Sequence, residues 1–463
     1  MKTMKLYLMA ALALTFAACS NDDNDFAQQP LQAEGIPFTA TISIDNGATM
    51  RALNESSGKI EATWKDGEEV ALIYNAGGTP TKTPATVTKQ TDGSAIISAT
   101  LASGATDGSD VTIIYPSTAA DGTTGNVIST LLAAQDGTLT GTGGTSIAEK
   151  YDVRKGTGKL SITGGKATVN NGTPGTSVSL TNQNAIFKLT LKDIDGTNDV
   201  SATSVKIYDQ TNALLTTVTP ATGYDKVMYV ALPTTATTLK FSVTNGTTNY
   251  FNMASGLSLG ANYYPSTLKL ATVGNVIAAN GKCYKDASAA TTASTSAVAM
   301  IAYLGNDAET STTYNHGLAL ALEDVSSSTI TWCSQSTETC LTTQYNNTSD
   351  AKADMAGLAN TNALVIHASH THNAAKEARN YNGGTHPTGT STWFLPSAGQ
   401  WDKMVTAAGG YVNLNIKASL NNRNYWSSSE CTKSQAWDLT FTNGSWGYGN
   451  KRTDWRVRAC LAF

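Results

Sequence analysis

The chain has 463 residues and a formal net charge of −4; 14% of residues are charged, 40% hydrophobic and 8% aromatic, with 40 glycines. That length predicts roughly three domains, and the composition is too apolar for a disordered chain and too poor in charge for a long coiled coil. Without a basic excess nucleic acid is a poor partner, so the expectation is a mainly β, multi-domain protein of short strands and turns.

At the start, Lys2 and Lys5 precede an apolar run over residues 6–18, followed by Cys19. A basic start, a short apolar core and small residues before the cut describe a secretory signal over residues 1–18. The run is too short to span a bilayer as a helix. Ala17-Ala18-Cys19 resembles a bacterial lipobox, in which the Cys19 thiol is lipidated and becomes the new N-terminus. That implies an outer-membrane lipoprotein. Residues 19–35 form an acidic tether whose Asp22, Asp23 and Asp25 resemble a surface-export signal.

Strand-like runs follow at 36–43, 69–74, 95–102 and 110–116, punctuated by Gly, Asn and Asp. Residues 118–144, rich in Gly and Thr, read as loops around a short strand. A second set lies at 185–194, 204–209, 226–233, 239–244 and 263–270. Each sheet must bury one face, so the two sets predict two antiparallel β-sandwiches, at 36–175 and 176–272. From 273 to 463 the character changes to α+β, with helices expected at 349–358, 374–381 and 400–408. Six of the chain's 8 Trp fall after residue 390.

Beyond Cys19 there are five cysteines, an odd number that leaves at least one unpaired. Cys333–Cys340 and Cys431–Cys460 are the candidate disulfides, the first closing a small loop and the second joining two late strands. No Cys-x-x-Cys is present to suggest zinc. His367, His370 and His372 lie in His-Ala-Ser-His-Thr-His, but no helix puts all three on one face and no carboxylate shares the motif. A solvated loop is expected there, and no metal.

Residues 141–144 lack the Lys-Ser/Thr end of a phosphate loop, and there is no Gly-x-Ser-x-Gly elbow. No catalytic residue and no cofactor are expected, and the chain is not expected to be an enzyme. Trp446 and Tyr448, flanked by Asn443 and Asn450, are the candidate ligand-binding residues, because Gly and Asn around them indicate a hairpin tip. Trp401, Trp426 and Trp437 are expected in the core.

Several motifs in fixed order resemble the fimbrillin family, the pilin-like lipoproteins of type V pili. They are the lipobox, Phe38-Thr39-Ala40, Arg51, Trp64-Lys65-Asp66-Gly67-Glu68, Val70-Ala71-Leu72-Ile73-Tyr74, Gln135-Asp136-Gly137-Thr138-Leu139, Asn184-Ala185-Ile186-Phe187-Lys188-Leu189 and Ala261-Asn262-Tyr263-Tyr264. The resemblance covers residues 19–272. It implies assembly by strand exchange: a protease removes the first strand and another subunit's strand fills the groove. Residues 36–44 alternate Phe38, Ala40, Ile42 and Ile44 against Thr39, Thr41 and Ser43 and supply that strand. Arg51 is the first basic residue after Lys5, so cleavage is expected between Arg51 and Ala52.

The last third resembles a lectin-like domain found on some fimbrillins. It carries Trp393-Phe394-Leu395-Pro396-Ser397, Gln400-Trp401, Tyr425-Trp426-Ser427-Ser428-Ser429-Glu430, Ala436-Trp437 and Arg456-Val457-Arg458-Ala459-Cys460. The resemblance implies a C-type lectin-like fold, without the Glu-Pro-Asn or Trp-Asn-Asp pattern of calcium-dependent sugar binding.

Residues 455–463 alternate as a buried strand would. A strand locked in a core cannot be donated, so the subunit would accept a strand without giving one. Together these features predict a fimbrial tip subunit or adhesin whose partners are other pilin subunits and a surface glycan or protein ligand. An unpolymerised lipid-anchored glycan-binding protein is the alternative, and a metal-assisted hydrolase using the His cluster is a third.

Overall fold

A computed structural model describes residues 35–44, 54–56, 59–61, 63–141, 144–173, 175–310, 313–314, 316, 317–335, 337–367 and 370–463. Cys19, Arg51, Ala52 and the acidic tether before residue 35 lie outside the described residues. The described chain is mainly β, arranged in several sheets. None of its helices is long and apolar enough to cross a membrane.

In the first unit, strand β1 (Ile36–Ile44) buries Phe38, Ala40 and Ile42 and exposes Thr39 and Thr41, the alternation expected of a half-buried strand. It pairs antiparallel with Ala95–Leu101, from Ile36 opposite Leu101 to Ile42 opposite Ala95. On its other side it runs parallel to Lys166–Asn170 and to Val178–Asn182. Both of those strands pair in turn with Arg154–Thr163. Pairing continues through Asp110–Tyr115, Glu69–Ala76 and Thr79–Lys89 back to Ala95–Leu101. The eight strands therefore close on themselves, which removes the unpaired edges an open sheet presents.

The interior holds Phe38, Ile42, Trp64, Ile97, Ile113 and Leu180. Packing is tightest where Arg154–Thr163 meets its two partners. A Cβ at Gly158 would stand 2.5 Å from the Asn170 carbonyl oxygen.

The closed ring corrects the expected antiparallel sandwich in two respects: β1 is paired on both sides, and two of its pairings are parallel. It also moves the boundary expected at residue 175, because Val178–Asn182 belongs to the first sheet.

The second unit does pack two sheets face to face. Val227–Pro233, Asn184–Asp193 and Tyr263–Leu270 form one. The other runs Thr248–Ser255, Thr238–Asn245, Ser204–Tyr208, Leu214–Val218, Ala134–Gln135. Leu189, Ile207, Val230 and Phe241 fill the space between. Asn184–Asp193 lies parallel to Tyr263–Leu270, so this sandwich is mixed as well. The short strand expected within 118–144 is Ala134–Gln135, and it joins this second unit. The buried Gln135 amide donates to the Ala231 carbonyl and accepts from its N–H, both at 2.8 Å, continuing the ladder with a side chain.

In the C-terminal unit, Cys283–Tyr284, Val276–Ala278, Ala297–Leu304, Gly317–Ala321 and Cys460–Ala462 form a five-stranded sheet. Asn424–Thr432, Gln435–Thr440 and Ser445–Asn450 form a three-stranded one. The helix Ala398–Ala407 starts at Ser397, which makes a reciprocal capping box with Gln400. The helix expected at 349–358 is instead split into Thr348–Ala351 and Gly357–Ile366. Asp354 is turned out of helical bonding: its carbonyl accepts from Gly399 N–H and Ser397 Oγ, and its carboxylate from Ser429 Oγ and Asn360.

Candidate functional site

β1 is the strand that cleavage at the expected position would release. Its core face contributes Phe38 and Ile42, each almost wholly buried, and burial of such side chains is worth about 1.5–3 kcal/mol apiece. Its main chain bonds to neighbours on both sides. Withdrawing it would leave a groove between Ala95–Leu101 and the Lys166–Asn170 and Val178–Asn182 strands, floored by Ile97, Leu160, Val169 and Val178. Any strand with the same alternation of apolar and polar residues fits that groove chemically, because main-chain bonds carry no side-chain identity.

Just beyond the expected cleavage position, the chain is fastened elsewhere. Glu55, in the strand Asn54–Ser56, accepts hydrogen bonds from Tyr229 OH at 2.7 Å and Tyr263 OH at 2.8 Å, and pairs with Lys188. All three partners belong to the second unit. Burial alone would push the Glu55 carboxyl up; the bonds from Lys188, Tyr229 and Tyr263 outweigh it and hold the group below the usual carboxylate range. The chain before residue 45 is thus bound to the first unit and the chain at Glu55 to the second.

The C-terminal signature residues are internal struts. Trp426 Nε1 donates to the Ile330 carbonyl at 2.9 Å and Ser427 Oγ to the Trp437 carbonyl at 2.8 Å. Arg458 donates from Nε to Asp324 Oδ1 at 2.9 Å and from Nη1 to the Ala321 carbonyl at 2.8 Å. The buried Glu430 accepts from the N–H groups of Cys340 and Leu341 and pairs with the equally buried Lys451. Trp401, Trp426 and Trp437 are in the core, as expected.

Trp446 and Tyr448 sit in a strand, Ser445–Asn450, instead of a hairpin tip. Trp446 is opposite Leu439 and Tyr448 opposite Trp437, so strand alternation turns both toward the side that Leu439 and Trp437 bury. Trp446 is consequently half-buried and covered by the Lys352 ammonium at 5.4 Å. Trp446 therefore offers only part of its ring to solvent. Tyr448 remains 52% exposed, edge-on to Trp437. Asn443 lies in the turn before the strand and Asn450 at its far end, and their side-chain oxygens accept from Ser445 and Arg452 N–H. The four candidates do not converge on one pocket; the structure leaves Tyr448 as the exposed aromatic among them.

Cys283, Cys333, Cys340, Cys431 and Cys460 are all free thiols in the structure. Cys431 packs with Ala351, Ala398 and Trp437, whereas Cys460 lies in a different cluster with Phe394 and Leu414, so the two expected partners are not joined. Cys333 and Cys340 are neighbours without a bond between them. His372, expected in a solvated loop, is only 2% exposed and lies beside them. The spacing in sequence concealed this grouping, because Trp332 and the start of helix Asn373–Arg379 bring together segments far apart in the chain.

No protein-family model matches the chain, and no curated protein does. Among solved structures it is similar to a fimbrial protein from Bacteroides ovatus, at 15% identity and a TM-score of 0.32, over 93% of this chain and 100% of that one. It is also similar to a candidate cell adhesion protein from Bacteroides ovatus, at 12% identity and a TM-score of 0.31, over 52% of this chain and 96% of that one. A shaft pilin from Lactobacillus rhamnosus overlaps 51% of this chain and 99% of its own length, at 11% identity and a TM-score of 0.22. TM-scores this low do not establish a shared fold.

Proposed function

We propose that the chain is a non-enzymatic surface subunit of a fimbrillin-type pilus, anchored first through a lipid on Cys19 and then processed between Arg51 and Ala52. In this reading β1 is a temporary closing strand, replaced after cleavage by a strand of another subunit. The observation that carries it is the closure of the first unit: one strand, followed at once by the segment that holds Arg51, completes the ring on both sides. Glu55 supports the same reading. Its bonds to the second unit keep the chain after the cut in place while β1 departs.

The way Cys460–Ala462 is built into the C-terminal unit supports a position at the tip. Cys460–Ala462 pairs with Gly317–Ala321, and Cys460 exchanges two main-chain bonds with Phe394. Phe463 packs at 4.9 Å from the Phe251 ring of the second unit. A strand held this way is not free to be donated. The subunit would accept a strand at its first unit and present the C-terminal unit, with the exposed Tyr448 ring, to a glycan or protein ligand.

N-terminal sequencing of the protein from surface filaments and from membranes tests this. A new terminus at Ala52 in filaments is the expected result. A lipidated Cys19 in every fraction, with no filament association, would overturn it in favour of a permanently tethered glycan-binding lipoprotein.

A further inference from the structure

We propose that Cys333, Cys340 and His372 form a structural zinc site inside the C-terminal unit, completed by His367 once its ring, now farther off beside His372, turns toward the other three. The donor atoms of the first three lie within 4.8 Å of one another, and all three residues are buried. Two thiolates and imidazole nitrogen in a closed site are the donor set that selects a tetrahedral, borderline-soft d10 ion.

Three further observations point to a ligand. Neither ring nitrogen of the buried His372 has a hydrogen-bond partner. His367 lies edge-on to it, ring centroids 5.0 Å apart, and its buried Nδ1 is also without a partner. Two neighbouring imidazoles with idle nitrogens at one spot are costly unless something accepts them.

The surroundings are built to hold the donors in place. The segments carrying Cys333 and His372 are zipped together: Ser334 N–H donates to the Thr371 carbonyl at 2.9 Å, and Thr371 N–H to Ser334 Oγ at 3.2 Å. Cys333 N–H donates to the Lys451 carbonyl at 3.1 Å. Glu430 takes the Cys340 N–H, and Lys451 Nζ lies 3.5 Å from Cys340 Sγ, as an outer hydrogen-bond donor to a metal-bound thiolate would.

The test is elemental analysis of the purified mature chain, followed by competition with a chromophoric zinc chelator and replacement of zinc by cobalt. One zinc per chain is expected, with the intense cobalt absorption of a tetrahedral thiolate site. That zinc is lost in Cys333→Ser and in His372→Ala but kept in Cys431→Ser, a buried cysteine outside the cluster. Should the first two variants fail to fold, His367→Ala keeps the proposal testable, with zinc bound more weakly at unchanged secondary structure. A chain that binds no zinc, or that carries a Cys333–Cys340 disulfide by mass spectrometry when isolated without reductant, overturns it.

Discussion

The first and C-terminal units each close with a strand held by ladders and apolar burial, but only the C-terminal unit adds buried ion pairs. β1 is kept by main-chain ladders and by Phe38, Ala40 and Ile42 against an apolar interior. Cys460–Ala462 has ladders and apolar burial as well, and its unit adds buried ion pairs, Arg458 on Asp324 just before the strand and Lys451 on Glu430 deeper in. The first closure asks of its strand only an alternation of apolar and polar residues, so a different chain can supply it. The second sits in a unit that also holds charged side chains whose loss leaves a partner stranded in the interior.

The largest expected effect comes from removing β1 altogether. A chain beginning at Ala52 should bind an apolar-surface dye and self-associate, while the near-ultraviolet signal of the Trp-rich C-terminal unit stays intact. Added Ile36–Ile44 peptide should reverse the dye binding. If the truncated chain remains monomeric and dye-silent, the first unit does not depend on β1 and the contrast fails.

Next in size is Lys451→Met, which leaves Glu430 buried and unpaired. It should destabilise the C-terminal unit by about 3–5 kcal/mol in denaturant unfolding. Adding Glu430→Gln should recover much of that loss, since the stranded charge is then gone. Neither change should alter dye binding or peptide exchange at β1.

The contrast was only partly legible in the sequence. β1, Glu69–Ala76 and Tyr263–Leu270 show the β-branched and aromatic content that marks strands, and their bounds are close to those expected. Thr79–Lys89 was hidden by Pro80 and Pro84, which argue against a central strand. It tolerates them because Ala95–Leu101 pairs only with Thr86–Lys89, leaving the proline-bearing half with a single partner. Closure of the ring was not legible at all, since parallel pairing of β1 with strands more than a hundred residues away leaves no local pattern. The Tyr-Trp-Ser-Ser-Ser-Glu run was visible as a motif. That its polar residues are struts, with Ser429 bonded to Asp354 and Glu430 to Lys451, depends on segments the sequence does not place side by side.

A smaller effect probes the three-stranded sheet that carries Tyr448. Asp438 lies buried opposite Gly447, and its Oδ1 accepts from Asn424 at 2.7 Å. Burial pushes its carboxyl up to about 7, against the bonds from Asn424 and Thr440. The folded state therefore holds a proton that the unfolded chain has released, and stability falls as pH rises from about 4 toward 7. Asp438→Asn should flatten that slope and make the protein about 1–3 kcal/mol more stable at alkaline pH. Equal slopes for the two proteins would show that the site admits water.

The smallest change speaks most directly to strand exchange. Ile42 is fully buried near the end of β1, opposite Ala95 on one neighbour and Val178 on the other. Ile42→Val removes one methylene, keeps the β-branched shape that suits a strand, and should cost about 0.5–1.5 kcal/mol. Because β1 is held by apolar contact and not by a paired charge, that cost should appear almost wholly as easier departure. After cleavage at Arg51, a labelled Ile36–Ile44 peptide should replace the resident strand faster, by up to about tenfold for 1.4 kcal/mol. A conservative change in the C-terminal strand, Leu461→Ile, should leave that exchange rate untouched. If Ile42→Val lowers stability but not the rate, release of β1 is limited by something other than its own hold on the ring.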